Sequence, residues 1–277
     1  MPPRRLRLDA ELVRRGLASS RERAAQLIAE GRVKVAGVVA SKPATGVTTD
    51  VAIVVKEGEN GPDYVSRGAH KLVGALAAFT PLGLEVEGRR ALDAGASTGG
   101  FTDVLLRSGV AEVVAVDVGY GQLHWSLQQH EKVVVHDRTN VRTLTTDDIG
   151  GPVDLVVGDL SFISLTLVLD ALLGVTRPDG DLALMVKPQF EVGKDRLGKG
   201  GVVRDPELWV ETVLGVAHAA AERGWGARAV TVSPLPGPSG NVEFFLWLRH
   251  GPATIDDESM AVIVRRGTSD PDEKVTP

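Results

Sequence analysis

A chain of 277 residues that is 43% apolar and 24% charged has the composition of an ordinary globular protein of about two domains, which excludes disorder as its default state. It has no cysteine, so disulfides, thiolate metal sites and cysteine nucleophiles are excluded as well. The net charge of −5 is unevenly spread: residues 1–49 hold 10 Lys and Arg against 4 Asp and Glu, whereas the remainder hold 21 against 32. A basic block at one end is the electrostatic footprint of a polyanion binder.

Six scattered histidines give no metal-ligand spacing, so no metal is expected. The most apolar stretch, 163–175, carries Asp170 and falls short of the ~20 residues that cross a bilayer. Arg4, Arg5 and Arg7 lead into an amphipathic pattern rather than the apolar core of a secretory signal. The expectation is a cytoplasmic protein with no membrane partner.

In chain order, Leu8, Leu12 and Val13 recur at helical spacing and predict a short helix from Leu8 to Gly16. A second helix follows, with Ser19 and Glu22 as a capping box, Ala24, Leu27 and Ile28 as its buried stripe and Gly31 as its stop. Val33 to Val35 and Val38 to Val39 flank the turn pair Ala36-Gly37, and Val51 to Val55 reads as a further strand. Arg4, Arg5, Arg14, Arg15, Arg21, Arg23 and Lys34 are the cations this unit can offer to a phosphate backbone. Residues 3–56 resemble the small S-four-type RNA-binding domain, through the arginines before and in the second helix and the G-x-V-x-V-x-G run from Gly31 to Gly37.

Residues 57–64, rich in Gly, Pro and charge, read as a linker. Beyond them a helix through Leu72, Leu76 and Phe79 leads into alternating strands and helices. The strands lie near Ala91, over 113–118, 133–136, 155–158 and 182–186; the helices start at Phe101 and cover 122–129, 165–173 and 207–223. Such alternation predicts an α/β fold, a mostly parallel, doubly wound sheet with helices on both faces. Arg228 to Val232 and Glu243 to Leu248 follow as an antiparallel edge hairpin, which closes a domain spanning 65–250; 251–277 reads as a poorly ordered polar tail.

The segment "ALDAGASTGGFTDVLL" sets Asp93, Gly95, Ser97, Thr98, Gly99, Gly100 and Phe101 between a strand and a helix N-terminus, where glycines admit a ligand close to the backbone. Asp117 ends the next strand, placed to accept from ribose hydroxyls, and Asp137 the one after, where it or Asn140 can meet an exocyclic amino group. Two adenosyl cofactors fit such a crevice. A nicotinamide dinucleotide prefers G-x-G-x-x-G for its pyrophosphate; here Ser97 replaces the second glycine, which favours S-adenosylmethionine.

Asp159 and Lys187 end two core strands and point to the same crevice, while Lys71 opens the entering helix and Glu243 lies in the last strand. Methylating a ribose hydroxyl requires a proton acceptor, and a lysine serves only where burial or a neighbouring cation makes its neutral form accessible. Lys187 is expected in that role, with Lys71 as the neighbouring cation, Asp159 placing the methyl end of the cofactor and Glu243 orienting the lysines and ribose.

The motifs "YVSRGAHKL", "ALDAGASTGGFTDVLL", "AVDVGYGQL", "VVGDLSFISL", "MVKPQFEVGK" and "SPLPGPSGNVEFFLWL" together resemble the TlyA, or haemolysin A, family, whose catalytic domain is similar to FtsJ-type ribose methyltransferases. The resemblance spans about 3–249. It implies a Rossmann-like class I sheet, S-adenosylmethionine as cofactor, ribosomal RNA in its subunits as partner, 2′-O-methylation (of cytidine in some members) and a Lys-Asp-Lys-Glu tetrad at Lys71, Asp159, Lys187 and Glu243. Two other readings compete. A membrane-active haemolysin predicts an apolar or strongly amphipathic insertion segment, and none is found; a non-catalytic RNA-binding protein predicts decay at the strand ends, which are fully furnished.

Overall fold

The computed structural model describes residues 5–18, 20–56 and 63–268. The chain divides into two units between Val65 and Ser66. In the first, β1 (Leu6–Arg7), α1 (Leu8–Arg14) and α2 (Arg21–Ala29) precede β2 (Val33–Val35), β3 (Val38–Val39), β4 (Gly46–Val47) and β5 (Ile53–Val55). The strands β3-β2-β5 form an antiparallel sheet and β1 pairs with β4. Leu8, Leu12, Leu27, Ile28, Val33 and Val47 fill the small core that the helical spacing anticipates. Ala36 and Gly37 both take positive φ, as a two-residue hairpin turn of this hand requires.

The cap of α2 corrects the sequence reading by one residue. Ser20 is the N-cap, its hydroxyl accepting from the amide of Arg23, so the residue three positions on is an arginine and the reciprocal carboxylate of a capping box is lacking. Ser19 lies outside the described residues, as do 57–62, which make up most of the expected linker, and Arg4.

The second unit holds α3 (Ala69–Phe79), β6 (Arg90–Ala94), α4 (Gly100–Arg107), β7 (Glu112–Val116), α5 (Trp125–Gln128), β8 (Val133–His136), β9 (Val153–Gly158), α6 (Leu169–Val175), β10 (Thr176–Val186), α7 (Pro188–Glu191), α8 (Pro206–Ala221), β11 (Trp225–Val232), β12 (Phe244–His250) and α9 (Asp257–Arg265). Its seven strands run in the order β11-β12-β10-β9-β6-β7-β8. The five from β10 to β8 are parallel, and β12 pairs antiparallel with both β10 and β11. The apolar runs of β9 and of 182–186 in β10 follow from burial on both faces. The chain winds outward from β6 to β8 and then returns to the far side of β6 at β9, so strand order switches between β6 and β9, where such sheets open their ligand crevice.

Four expectations shift. The helix near 122–129 shrinks to α5, begun by His124, whose ring accepts from the Ser126 amide. The helix placed over 165–173 divides into a 3-10 turn, Leu165–Leu167, and α6. The hairpin of β11 and β12 exists, but β12 lies inside the sheet and β11 alone forms the edge. The polar tail is wrong up to Arg265: Asp256 caps α9 at the Ser259 amide, and Met260, Ala261 and Val264 are buried in the core around α8. Their helical spacing is the signal the sequence carried; residues 269–277 lie outside the described residues.

Candidate active site

The loop between β6 and α4 folds back on the tip of β7. The amides of Gly95 and Ala96 donate to the carbonyl of Val116, at 2.8 and 3.1 Å, which extends the β6–β7 ladder past the strand ends. Gly95 (φ 85°) and Gly99 (φ 96°) take left-handed conformations, and Ser97 does so without being glycine. That turn aims the Ser97 amide at Asp117 Oδ2 (2.8 Å), while the Gly119 amide donates to Oδ1 (2.7 Å). Asp117 is thus fixed by two backbone donors and remains partly exposed, with acceptor capacity left on each oxygen. Asp137, on the neighbouring tip, accepts from the Gly121 amide at 2.9 Å.

Other members of the predicted loop are scaffold. Asp93 is wholly buried, and Oδ2 accepts from Thr102 Oγ1 at 2.7 Å. Its Oδ1 has no hydrogen-bond partner among the described residues. Burial without a cation pushes this carboxyl up to about 7. Phe101 is buried with its ring 5.9 Å from that of Phe245. Gly100 is required by close packing, since a Cβ there would overlap Ser66 and the backbone of Ala69. Thr98 is exposed, its carbonyl accepting from the His124 amide.

The four predicted reaction residues come together. Asp159 follows β9, Lys187 follows β10, Glu243 precedes β12 and Lys71 stands in the first turn of α3. Lys187 Nζ lies 2.5 Å from Asp159 Oδ1; Lys71 Nζ lies 3.6 Å from Asp159 Oδ2 and 2.6 Å from Glu243 Oε2. The result is a chain of alternating charge, Glu243–Lys71–Asp159–Lys187, in which both lysines and Glu243 are buried. Two cations and two anions compensate, which makes burial of three of these charges beside the partly exposed Asp159 tolerable. The lysines meet through Asp159 rather than directly.

Sequence reasoning missed the residues that hold these four. Lys187 also donates to Ser161 Oγ at 3.0 Å, and Gln189 Nε2 donates to Glu243 Oε1 at 3.2 Å. Glu191 accepts from Ser164 Oγ (2.5 Å) and the Leu165 amide (2.7 Å), tying the segment after Asp159 to α7. In that segment Phe162 takes φ 65° with its ring 91% exposed and 5.3 Å from that of Phe190. The available signal was the stretch Pro188 to Glu191, whose proline suits the first turn of a helix starting at the strand end.

In the first unit the cations are not equivalent. Arg15 pairs with Glu11 at 2.7 Å and also donates to the carbonyls of Val51 and Thr49, so its guanidinium is consumed by the fold. Arg23 is paired with Glu30 and Asp63. Arg14 and Arg21 pair with Glu11 and Asp9 yet keep more than half of their side-chain surface exposed. Arg5 is exposed, and Lys34 is half-buried in a row with Val39 and Val54.

Residues 64–250 match the FtsJ-like methyltransferase family and residues 6–53 the S4 domain. A 16S/23S rRNA (cytidine-2′-O)-methyltransferase TlyA of Mycobacterium tuberculosis is 62% identical over 247 residues, 89% of this chain and 90% of that protein. Hemolysin A of Brachyspira hyodysenteriae is 34% identical over 86% of this chain and 98% of its own length. A solved structure described as a hemolysin from Streptococcus thermophilus aligns with a TM-score of 0.71 at 34% identity, covering 95% of this chain and 96% of that one.

Proposed function

The chain belongs to the TlyA family, with an FtsJ-like methyltransferase domain behind an S4 domain, and on that premise we propose that it is an S-adenosylmethionine-dependent 2′-O-methyltransferase of ribosomal RNA cytidines, working in the cytoplasm on ribosomal subunits. The observation that carries the reading is the buried Glu243–Lys71–Asp159–Lys187 chain at the tips of β9 and β10, beside the switch in strand order.

The crevice residues fit the cofactor. Asp117, held by two amides with acceptor capacity to spare, suits ribose hydroxyls, and Asp137 suits an amino group at the purine edge. When bound, S-adenosylmethionine supplies a methyl group on a cationic sulfur. Once its own proton has left, Lys187 Nζ accepts the proton of the ribose 2′-hydroxyl and becomes the ammonium again, its charge balanced by Asp159. Lys71 holds the other oxygen of Asp159, and Glu243 fixes Lys71, so neither carboxylate can swing away from the reacting oxygen. Phe162, three residues after Asp159, offers an exposed ring on which an unpaired base can stack. In the first unit, Arg5, Arg14, Arg21 and Lys34 supply sequence-independent phosphate contacts; Arg15 is removed from that set by its structural bonds.

The haemolysin names among the relatives favour no second reading here, because among the described residues no helix is long and apolar enough to cross a membrane. The test is methyl transfer from labelled S-adenosylmethionine to ribosomal subunits. Lys187→Ala is expected to lower transfer by about 10²–10⁴-fold while cofactor affinity is retained. Equal labelling by the variant would remove Lys187 from the chemistry, and no labelling of RNA by the unaltered protein would end the reading.

A further inference from the structure

We propose that Gln189 is a positioning residue for methyl transfer, acting through Glu243, with Gly237 as a second wall of the same cradle; the inference rests on the reading of the preceding subsection. Glu243 is 1% exposed, and its two oxygens are divided between two partners. Oε2 receives Lys71, and Oε1 receives the amide nitrogen of Gln189. Gly237 also lies so close that a Cβ built on it would overlap Oε1. The carboxylate therefore has one seat, and the placement of Lys71 against Asp159 depends on it.

The other half of the Gln189 amide shows what the side chain is for. Gln189 Oε1 is buried and has no hydrogen-bond partner among the described residues. An apolar side chain of the same size would fill this volume without stranding an acceptor, so the glutamine is worth its cost only for what its nitrogen does. Reversing the amide would set its oxygen against the Glu243 carboxylate, so chemistry fixes the orientation. Gln189 sits in α7, two residues beyond Lys187, and one short helix thereby links the proton acceptor to the residue that orients the second lysine.

Two substitutions separate positioning from general packing. Gln189→Met keeps the volume and deletes the donor, and kcat is expected to fall about 10- to 100-fold, with KM for RNA and methyl donor unchanged and the ratio to the unaltered protein constant with pH. Gln189→Glu keeps the shape but faces Glu243 with a second carboxyl. The charged groups that bear on this pair are Lys71 from α3, Asp159 after β9 and Lys187 after β10, while Glu191 in α7 is engaged by Ser164 and Leu165. When the new carboxyl is ionised, like charges repel across the gap; when protonated, it donates to Oε1 as the amide did. Activity of Gln189→Glu is therefore expected to recover towards that of the unaltered protein as pH falls, which a packing defect would not reproduce.

Gly237→Ala tests the other wall. Gly237 has φ −69°, which alanine adopts freely, so only the overlap with Glu243 is introduced; a kcat loss is expected. Lysine-selective ¹⁵N NMR, with the Lys71 ammonium assigned from Lys71→Arg, gives a readout without turnover: its resonance should shift in Gln189→Met and Gly237→Ala. Unchanged resonance and kcat in both variants would overturn the proposal. If the unaltered protein labels no RNA, the enzymatic reading fails, and the resonance alone decides whether Gln189 and Gly237 hold Glu243 and Lys71.

Discussion

Asp93 in the second unit and Glu11 in the first are both closed off from solvent, yet their proton affinities move in opposite directions. Glu11 accepts from Arg14 at 2.6 and 2.7 Å and from Arg15 at 2.7 Å, and these guanidinium bonds bring its carboxyl down to about 2 against the opposing effect of desolvation. Asp93 is bonded by the hydroxyl and backbone of Thr102 but by no cation, so desolvation dominates and its carboxyl rises to about 7. The difference lies in what covers the acid. Glu11 is roofed by arginine side chains that reach water, whereas Asp93 is roofed by the α4 N-terminus and the loop that precedes it. The first unit thus builds its surface on paired, screened charge, and the loop between β6 and α4 is built over an acid that can be kept neutral.

The largest effect on stability is expected at Asp93. A folded-state value of about 7 against the ordinary 3.8 means that the native state holds this proton more tightly. The contribution is then full below pH 4 and is lost as pH rises to about 7, at about 1.4 kcal/mol per pH unit. All four tryptophans lie in the second unit, so urea unfolding followed by their fluorescence reads that unit within the intact chain. Asp93→Asn, which keeps the bond to Thr102 feasible, should flatten the slope between pH 4 and 7 and leave the variant more stable than the parent at pH 8. A slope that survives in the variant would show that another group carries it.

A smaller effect of opposite sign is expected at Glu11. Its lowered value means that the stabilisation is present above about pH 4.5 and is lost as pH falls towards 2. Because Arg14 is half exposed, screening by solvent weakens the pairing. Amide hydrogen exchange across α1 should show Glu11→Gln losing some protection at pH 7 and losing the parent's dependence on pH below 4.5. Equal protection in parent and variant at pH 7 would mean that the arginines gain as much from water as from Glu11.

The same contrast explains how far the sequence could be read. The alternation from Ala91 onward and the polar strand tips were legible because period and strand-end chemistry are local properties; Asp159, Lys187, Lys71 and Glu243 could be assembled from them. Partners chosen by tertiary packing were not legible. Arg15 is indistinguishable from Arg14 in the sequence, and only the return of the chain at Thr49 and Val51 assigns its guanidinium to carbonyls. Gln189 and Gly237 look like loop residues until the fold sets both against Glu243. The helix α9 was hidden by its charged face, although Met260, Ala261 and Val264 mark its buried one.

The smallest effect, and the sharpest on the first unit, concerns Arg21 and Arg15. Arg21 pairs with Asp9 at 3.0 Å but keeps 58% of its side chain exposed, so it can exchange a carboxylate for a phosphate at little cost. Arg21→Ala is expected to weaken RNA binding uniformly across sequences and to reduce the slope of log affinity against log salt by about 1. Arg15→Ala strands the carbonyls of Val51 and Thr49 instead, so it should reduce amide protection of the first unit and leave the salt slope unchanged. Binding to ribosomal RNA over a salt series, measured for both variants of the full chain, separates the two arginines. A slope reduced equally by Arg15→Ala would mean that its guanidinium leaves the fold to meet phosphate, and the division between structural and RNA-facing cations would have to be redrawn.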